Sequence, residues 1–390
     1  MKFLIQIPRL IYAGAEKVLV NFANDLVSRG HDVTILEIYE TGLLNPQFDP
    51  AVKFDSICSN EYSKKYYASL DEIKNEKTYY KKLLKCVKLF FSKIVGYRRF
   101  AEKMTAKRYK NKVFDVAINY LETESPRFLK RSIHAKKYLQ WVHIDVANMN
   151  STIEIDRMLP DFEKMDAIIC VAESARKSFL DRYPVLTEKT HVIYNYYDAD
   201  SIIEKGKEPY EFPNRKENVP VFLSVGRMTA QKQYLRFLDV LAHLHDDGFE
   251  FQWYVLGTGP EKQEIEKKIE RLDLGDRVFL LGMTDNPYKY MANCDLFVLP
   301  SGWEGFPTVT VEAKILNCVV FATDVSGIRE QMEHGKTGWI VENTEDGIYR
   351  GMKFLLDTKG ITNKYRGNID NLIILNSENK YRKLMEIVHE

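Results

Sequence analysis

The chain has 390 residues, 45% hydrophobic and 28% charged, enough for two domains that each bury a core without disulfides or metals. Its 56 Lys/Arg against 55 Asp/Glu give a net charge of +1, which excludes a uniformly basic nucleic-acid coat and an acidic disordered chain. Cysteines 58, 86, 170, 294 and 318 are odd in number and form no Cys-x-x-Cys pair. They therefore read as reduced core thiols rather than a disulfide framework or a zinc knuckle.

The opening Phe3–Ile7 is an apolar run. Pro8 and Arg9 end it too early for a signal peptide, and no later run approaches the ~18 residues of a membrane span. The expectation is a cytoplasmic chain that begins on a strand. After the Ala13-Gly14 turn, Val18, Leu19, Phe22 and Leu26 recur with helical period until Gly30, and Asp32–Ile38 reads as a second strand. Strand, helix and strand in that space form a βαβ unit with a parallel sheet. Val113–Asn119, Tyr138–His143, Ala167–Val171 and His191–Asn195 read as further strands of the same sheet.

Residues 79–112 break the rhythm, with twelve Lys/Arg and a single acid, Glu102. On a helical wheel Leu83, Val87, Phe90 and Ile94 share a face, flanked by Leu84 and Phe91, while Lys81, Lys82, Lys85, Lys88 and Lys93 lie opposite and Leu89 falls out of pattern. The segment fits a helix packed on its own sheet with a solvated lysine face, or one lying on an anionic membrane. No nucleic-acid motif accompanies the charge, so nucleic acid is not expected as a partner. The rest of the chain has 44 basic and 54 acidic residues, a net −10, so near-neutrality conceals a polarised molecule.

Residues 199–218 are polar, with Lys205-Gly206-Lys207, Pro209 and Pro213, and read as a linker. It divides an N-terminal domain over 1–198 from a C-terminal domain over 219–365. Residues 366–390 form a helical segment expected to cross back to the first domain. In the second domain, Val219–Val225, Phe251–Leu256, Val278–Leu281, Leu296–Leu299 and Val319–Ala322 read as strands, with helices such as Gln233–Asp246 and Pro260–Leu272 between them. The fold class is α/β, with two Rossmann-like domains facing each other across a cleft at the carboxyl ends of their strands.

Three strand-to-helix turns carry chemistry. Gly226-Arg227 and Lys232 can converge on one phosphate, although cations near loops are commonly just solvated. In Ser301–Glu312, Pro307 suits a first helical turn, the amides near Thr308 and Val309 form an anion site, and Glu304 and Glu312 stand eight positions apart. A carboxylate pair alone would suit a glycosidase or two helix-flanking caps; cations and amides beside it favour a phosphorylated donor. Gly257-Thr258-Gly259-Pro260 makes the third turn. It lacks the third glycine of a dinucleotide fingerprint, and Gly14 has no glycine partner, which disfavours a Rossmann dehydrogenase.

These residues resemble retaining glycosyltransferases of family four, with the GT-B fold. The E-x7-E pair is matched by Glu304 and Glu312, the Gly-Arg…Lys element by Gly226, Arg227 and Lys232, and the Gly-x-Gly-Pro turn by Gly257–Pro260. Gly14–Lys17 matches the N-terminal loop in part, and Trp141-Val142-His143 matches a Trp-x-His stretch. The family pattern is departed from at Ala13, at Gln233 and at Asn195–Asp198.

The resemblance implies transfer of a hexose from a UDP-sugar to a glycan or polyprenyl-diphosphate-linked acceptor, with retention, in surface polysaccharide or glycoconjugate synthesis. Arg227 and Lys232 would neutralise the leaving diphosphate, supported by amides at Thr308 and Val309 and by Gly14. Glu312 would take the ribose hydroxyls. Glu304, Gly305, Phe306 and His143 would hold the sugar, and Gly257, Gly259, Gly282 and Met283 would border the base. No metal is expected, since the cations do its work; Asp198-Ala199-Asp200 spells a metal-binding D-x-D by chance. A GT-B-fold epimerase and a non-catalytic GT-B subunit remain as alternatives.

Overall fold

The structure is a computed structural model that describes all residues except 12, 60–72, 75, 77, 149–151 and 359–371. Two parallel sheets organise it. The first contains β1 (Lys2–Ile7), β2 (Asp32–Tyr39), β3 (Lys53–Cys58), β4 (Val113–Asn119), β5 (His134–Val142), β6 (Ala167–Cys170) and β7 (Thr190–Val192), in the order β3-β2-β1-β4-β5-β6-β7. The second contains β8 (Val221–Val225), β9 (Gln252–Leu256), β10 (Val278–Gly282), β11 (Leu296–Leu299), β12 (Val320–Thr323) and β13 (Trp339–Val341), in the order β10-β9-β8-β11-β12-β13.

Central strands such as β1, β6 and β11 are apolar on both faces because helices cover both sides of a parallel sheet. Each sheet reverses its winding at its first strand, β1 or β8. A crevice therefore opens beyond the carboxyl ends of β1/β4 and of β8/β11.

Two strands went unread in the sequence. β3 (KFDSIC) mixes charge into an edge strand, and β13 is only three residues long. β5 starts at His134, ahead of its apolar half, and ends at Val142, so His143 stands just beyond it.

The stretch read as a linker is folded. Ala199–Gly206 is a helix capped by the Asp198 carboxylate, which accepts from the Ser201 N–H at 2.9 Å. Ile202 and Gly206, four apart, face inward, so the polar composition belongs to the opposite face. A Cβ on Gly206 would lie 2.4 Å from Leu316, so glycine lets this helix approach its neighbour. Beyond it Phe212 packs on Tyr254, with ring centroids 4.5 Å apart. The Asp198 of the D-x-D sequence is thus a helix cap.

One apolar cluster runs through both halves, from Phe22, Trp141 and Tyr196 to Tyr288, Phe306 and Val311. The last helix, Ser377–His389, lies against the first domain. Its Glu378 pairs with Arg29 at 2.6 Å and its Tyr381 hydroxyl meets His31 Nε2 at 2.8 Å.

Candidate active site between the two sheets

The β8 and β9 turns pack backbone to backbone, which is what their glycines permit. Gly257 has φ +137°, and a Cβ on it would stand 2.0 Å from the Gly226 carbonyl oxygen; one on Gly259 would stand 2.2 Å from that of Met228. The Gly257 N–H in turn donates to the Gly282 carbonyl at 2.7 Å. Past Lys232 the chain must turn left-handed, and Gln233 does so with φ +53°. That accounts for the glycine common there in the resembling family. Ala13, by contrast, is extended at φ −137° and needs no glycine.

This turn delivers Lys232 to Glu304. Nζ lies 2.7 Å from Oε1, with Glu304 buried and the Lys232 side chain 13% exposed. Ser301 Oγ donates to the same oxygen at 2.7 Å, and Gln231 Nε2 donates to Oε2 at 3.2 Å. The carboxylate is therefore fixed by three groups before any substrate arrives. Arg227 is exposed; its carbonyl accepts from Thr229 Oγ1 at 3.4 Å, while its guanidinium forms no ion pair among the described residues.

Pro307 is extended and leads into the helix Thr308–Ile315, whose first amides have no intrahelical partner. Gly14, from the other domain, is close by, since a Cβ on it would lie 3.4 Å from Thr308 Oγ1. One turn further on, Glu312 is buried and engaged from across the cleft. Lys17 Nζ lies 3.5 Å from its Oε1, and the Tyr288 hydroxyl donates to that oxygen at 3.4 Å. Burial works against the Lys17 charge, yet Glu312 and Tyr288 lift its pKa above the ordinary lysine value.

On the first domain, the His143 carbonyl touches Gly305 so closely that a Cβ there would stand 2.0 Å from it. The His143 Nε2 is buried without a hydrogen-bond partner, and burial pushes its pKa down to about 3, so the ring is neutral at pH 7. Its backbone N–H donates to Glu122 at 2.9 Å. Burial, with Glu122 adding repulsion, raises the Glu16 carboxyl to about 7.

The structure thus gathers Gly226, Lys232, Gly257, Gly259 and Glu304 at one end of the cleft, Gly14, Thr308, Val309 and Glu312 along it, and His143 with Gly305 and Phe306 across it. Gly282 closes the β10 end; Met283 beyond it is exposed. Sequence reasoning missed Ser301 and Gln231, which hold Glu304, and Lys17 and Tyr288, which hold Glu312. It also missed Glu330, a second-domain carboxylate that accepts from the Glu173 and Ser174 N–H groups at 2.8 and 2.9 Å and from the Tyr194 hydroxyl at 2.8 Å. That contact caps the first-domain helix Glu173–Arg182 from across the interface. Among the described residues no three His, Cys, Asp or Glu side chains gather as a metal site would require.

Residues 207–371 match the family model "Glycosyl transferases group 1". The second domain is therefore the part of the chain that is similar to group 1 glycosyl transferases. The matched stretch contains Lys232, Glu304 and Glu312, and it begins within the folded stretch after the Ala199–Gly206 helix.

A relative from Campylobacter jejuni, N-acetylgalactosamine-N,N'-diacetylbacillosaminyl-diphospho-undecaprenol 4-alpha-N-acetylgalactosaminyltransferase, is 29% identical over 221 residues, 56% of this chain and 58% of that one. The chain spans about half the length of the curated relatives it matches, 42% and 47% for two others.

Among solved structures, a TarM mutant of S. aureus in complex with Fondaparinux, alpha-GlcNAc-glycerol and UDP superposes with a TM-score of 0.77 at 14% identity, covering 100% of both chains. Anabaena HepE in complex with UDP and glucose gives 0.74 at 16% identity, again over 100% of both. The architecture is the GT-B fold: two parallel-sheet Rossmann-like domains facing each other.

Proposed function

We propose that the chain is a retaining glycosyltransferase that moves a hexose from a UDP-sugar to a hydroxyl of a glycan or polyprenyl-diphosphate-linked acceptor in surface glycan synthesis. The observation that carries this reading is the Lys232–Glu304 pair, set beside the Thr308 helix N-terminus inside the stretch that matches the group 1 model. The relative that acts on a diphospho-undecaprenol-linked glycan and the UDP held by fold neighbours support the choice of acceptor and donor.

In this reading residues 219–365 bind the donor and 1–198 the acceptor. The diphosphate lies between Lys232, Arg227, Gly14 and the amides at Thr308 and Val309. As the C1–O bond to the diphosphate breaks, its oxygen takes the acceptor proton, and the acceptor oxygen bonds C1 on the same face. Negative charge grows on the leaving group, where two cations and a helix N-terminus await it. Those cations supply the neutralisation without a metal.

Glu304 stabilises the positive charge at C1, with Gly305 and Phe306 beside the sugar. The neutral His143 ring offers its unpartnered Nε2 to a sugar hydroxyl. Glu312 exchanges Lys17 and Tyr288 for the ribose hydroxyls, and the base lies between Gly257, Gly259 and the Gly282–Met283 backbone. The chain would work at the cytoplasmic side of a membrane.

The test is a panel of nucleotide sugars assayed for binding and hydrolysis, with and without EDTA, against Glu304→Ala and Arg227→Ala. UDP-sugars should bind and turn over in wild type, with turnover largely lost in both variants. No UDP-sugar binding, or turnover indifferent to both changes, rejects the reading.

A further inference from the structure

The helix Tyr79–Val95 is inverted relative to a surface helix of a soluble domain. Its apolar stripe faces solvent: Tyr79 is 83% exposed, Leu83 57%, Val87 44% and Phe90 64%, with Tyr80 and Leu84 alongside. The residues turned toward the body are Lys85 and Leu89, both half-buried, and Lys85 pairs with Glu76 at 2.9 Å. Leu89, out of pattern on the helical wheel, thus marks the inward side. The packed-on-its-own-sheet reading fails for this face. The side chains of Phe91, Lys93 and Ile94 lie outside the described residues.

Cations occupy the flanks and the far side of the helix. At ~100° per residue, Lys82 and Lys88 lie on the two flanks of the stripe and Lys81 beyond them on the far side, where it acts with Lys85 on Glu76; all three are exposed. The following helix, Tyr97–Tyr109, adds Arg99, Lys103 and Lys107. By contrast Arg98 and Arg108 are engaged by Glu124 and Asp55 of their own domain.

A contiguous apolar stripe needs a cover. A copy of this chain would bring the same cations against these, and like charges would face each other across a two-fold contact. An acidic protein partner would match the lysines but not an apolar strip edged by aromatic residues. A lipid surface matches both, since acyl chains take Leu83, Val87 and Phe90, tyrosines sit at headgroup depth, and anionic headgroups meet the lysines. No described helix is long and apolar enough to cross a membrane, so the contact is with the surface.

We propose that Tyr79–Val95 is the chain's docking element for an anionic phospholipid bilayer, lying in the plane of the interface with its Leu83–Val87–Phe90 stripe inserted. The helix lies outside the donor-binding residues, so the proposal stands or falls apart from the glycosyl-transfer reading.

The test is co-sedimentation of the full chain with phosphatidylglycerol/phosphatidylcholine vesicles and with phosphatidylcholine vesicles alone. Two variants accompany wild type: Leu83→Ser/Val87→Ser/Phe90→Ser and Lys81→Glu/Lys82→Glu/Lys88→Glu. All six positions are exposed, so thermal midpoints should stay at the wild-type value and certify folding.

Wild type should bind the anionic vesicles and not the neutral ones, and each variant should weaken that binding by about tenfold or more. The proposal is overturned if wild type ignores anionic vesicles or if binding survives both variants. It is also overturned if wild type is a dimer in solution that the triple-serine change converts to a monomer.

Discussion

The two walls of the cleft solve opposite electrostatic problems. On the second domain, charges are brought together and neutralise one another: Lys232 with Glu304, backed by Ser301 and Gln231. On the first, titratable groups are buried with little to compensate them: His143 Nε2 has no partner and Glu16 lies beside a second buried carboxyl, Glu122. The first arrangement holds charge ready at fixed positions. The second disfavours charge by withdrawing water, which leaves His143 neutral and lifts Glu16 to about 7. A wall meeting a diphosphate benefits from the first, and a wall meeting sugar hydroxyls from the second.

The largest expected effect tests the charged wall. Glu304→Ala should lower turnover on the order of 10²–10³-fold with little change in donor affinity, while His143→Ala, which removes one neutral hydrogen bond, should cost about tenfold. Steady-state assays of UDP release will separate them, and a larger loss at His143 would reverse the proposed division of labour.

The next concerns the pair itself. Lys232→Met leaves a buried carboxylate without its cation and should destabilise the fold by about 3 kcal/mol, and adding Glu304→Gln should recover most of that. Denaturant titration reads both, and strict additivity would show that the pair is not coupled.

The uncharged wall is tested through pH. The Glu16 pKa is about 7 in the fold against 4.5 for the free side chain. The folded state therefore holds its proton longer, and stability due to this group is full below pH 4.5 and lost as pH rises through 7. Glu16→Gln should remove that decline, gaining up to about 3 kcal/mol at pH 8 and nothing at pH 4. Parallel pH profiles for the two would show it.

The smallest effect lies between the walls. The Lys17–Glu312 contact at 3.5 Å involves a partly exposed lysine. Lys17→Met should change stability by less than about 1 kcal/mol while tightening UDP binding by about threefold, because the ribose no longer displaces a cation. Calorimetric titration measures the second quantity; weaker binding would mean that Lys17 serves the donor directly.

The two walls also differ in how far they could be read from sequence. Both sheets were legible wherever strands are dominated by apolar residues, as in β1, β6 and β11, and hidden where an edge strand carries charge (β3) or runs to three residues (β13). The strand-to-helix turns that carry Gly226, Lys232 and Glu304 were each legible locally, whereas the Lys232–Glu304 pair, 72 positions apart, follows from β8 lying beside β11. Lys17 and Glu312, or Glu330 and Tyr194, meet only through the packing of one domain on the other, and nothing in their local sequence pairs residues 136 or more positions apart. The inverted helix shows a different limit: periodicity exposes an apolar stripe but is silent on whether it points inward or outward.

The return of the last helix to the first domain has a mechanical consequence. The chain passes between the domains at Asn195–Asp198 and again between Asp357 and Ser377. Lys380 of that last helix donates to the Asn195 carbonyl at 2.6 Å, with its ammonium over the Tyr196 and Tyr197 rings. The terminal helix thus grips the first crossing where the chain leaves the first domain. A crossing anchored at its root has one path out of that domain, so the second domain starts from a fixed point on the first.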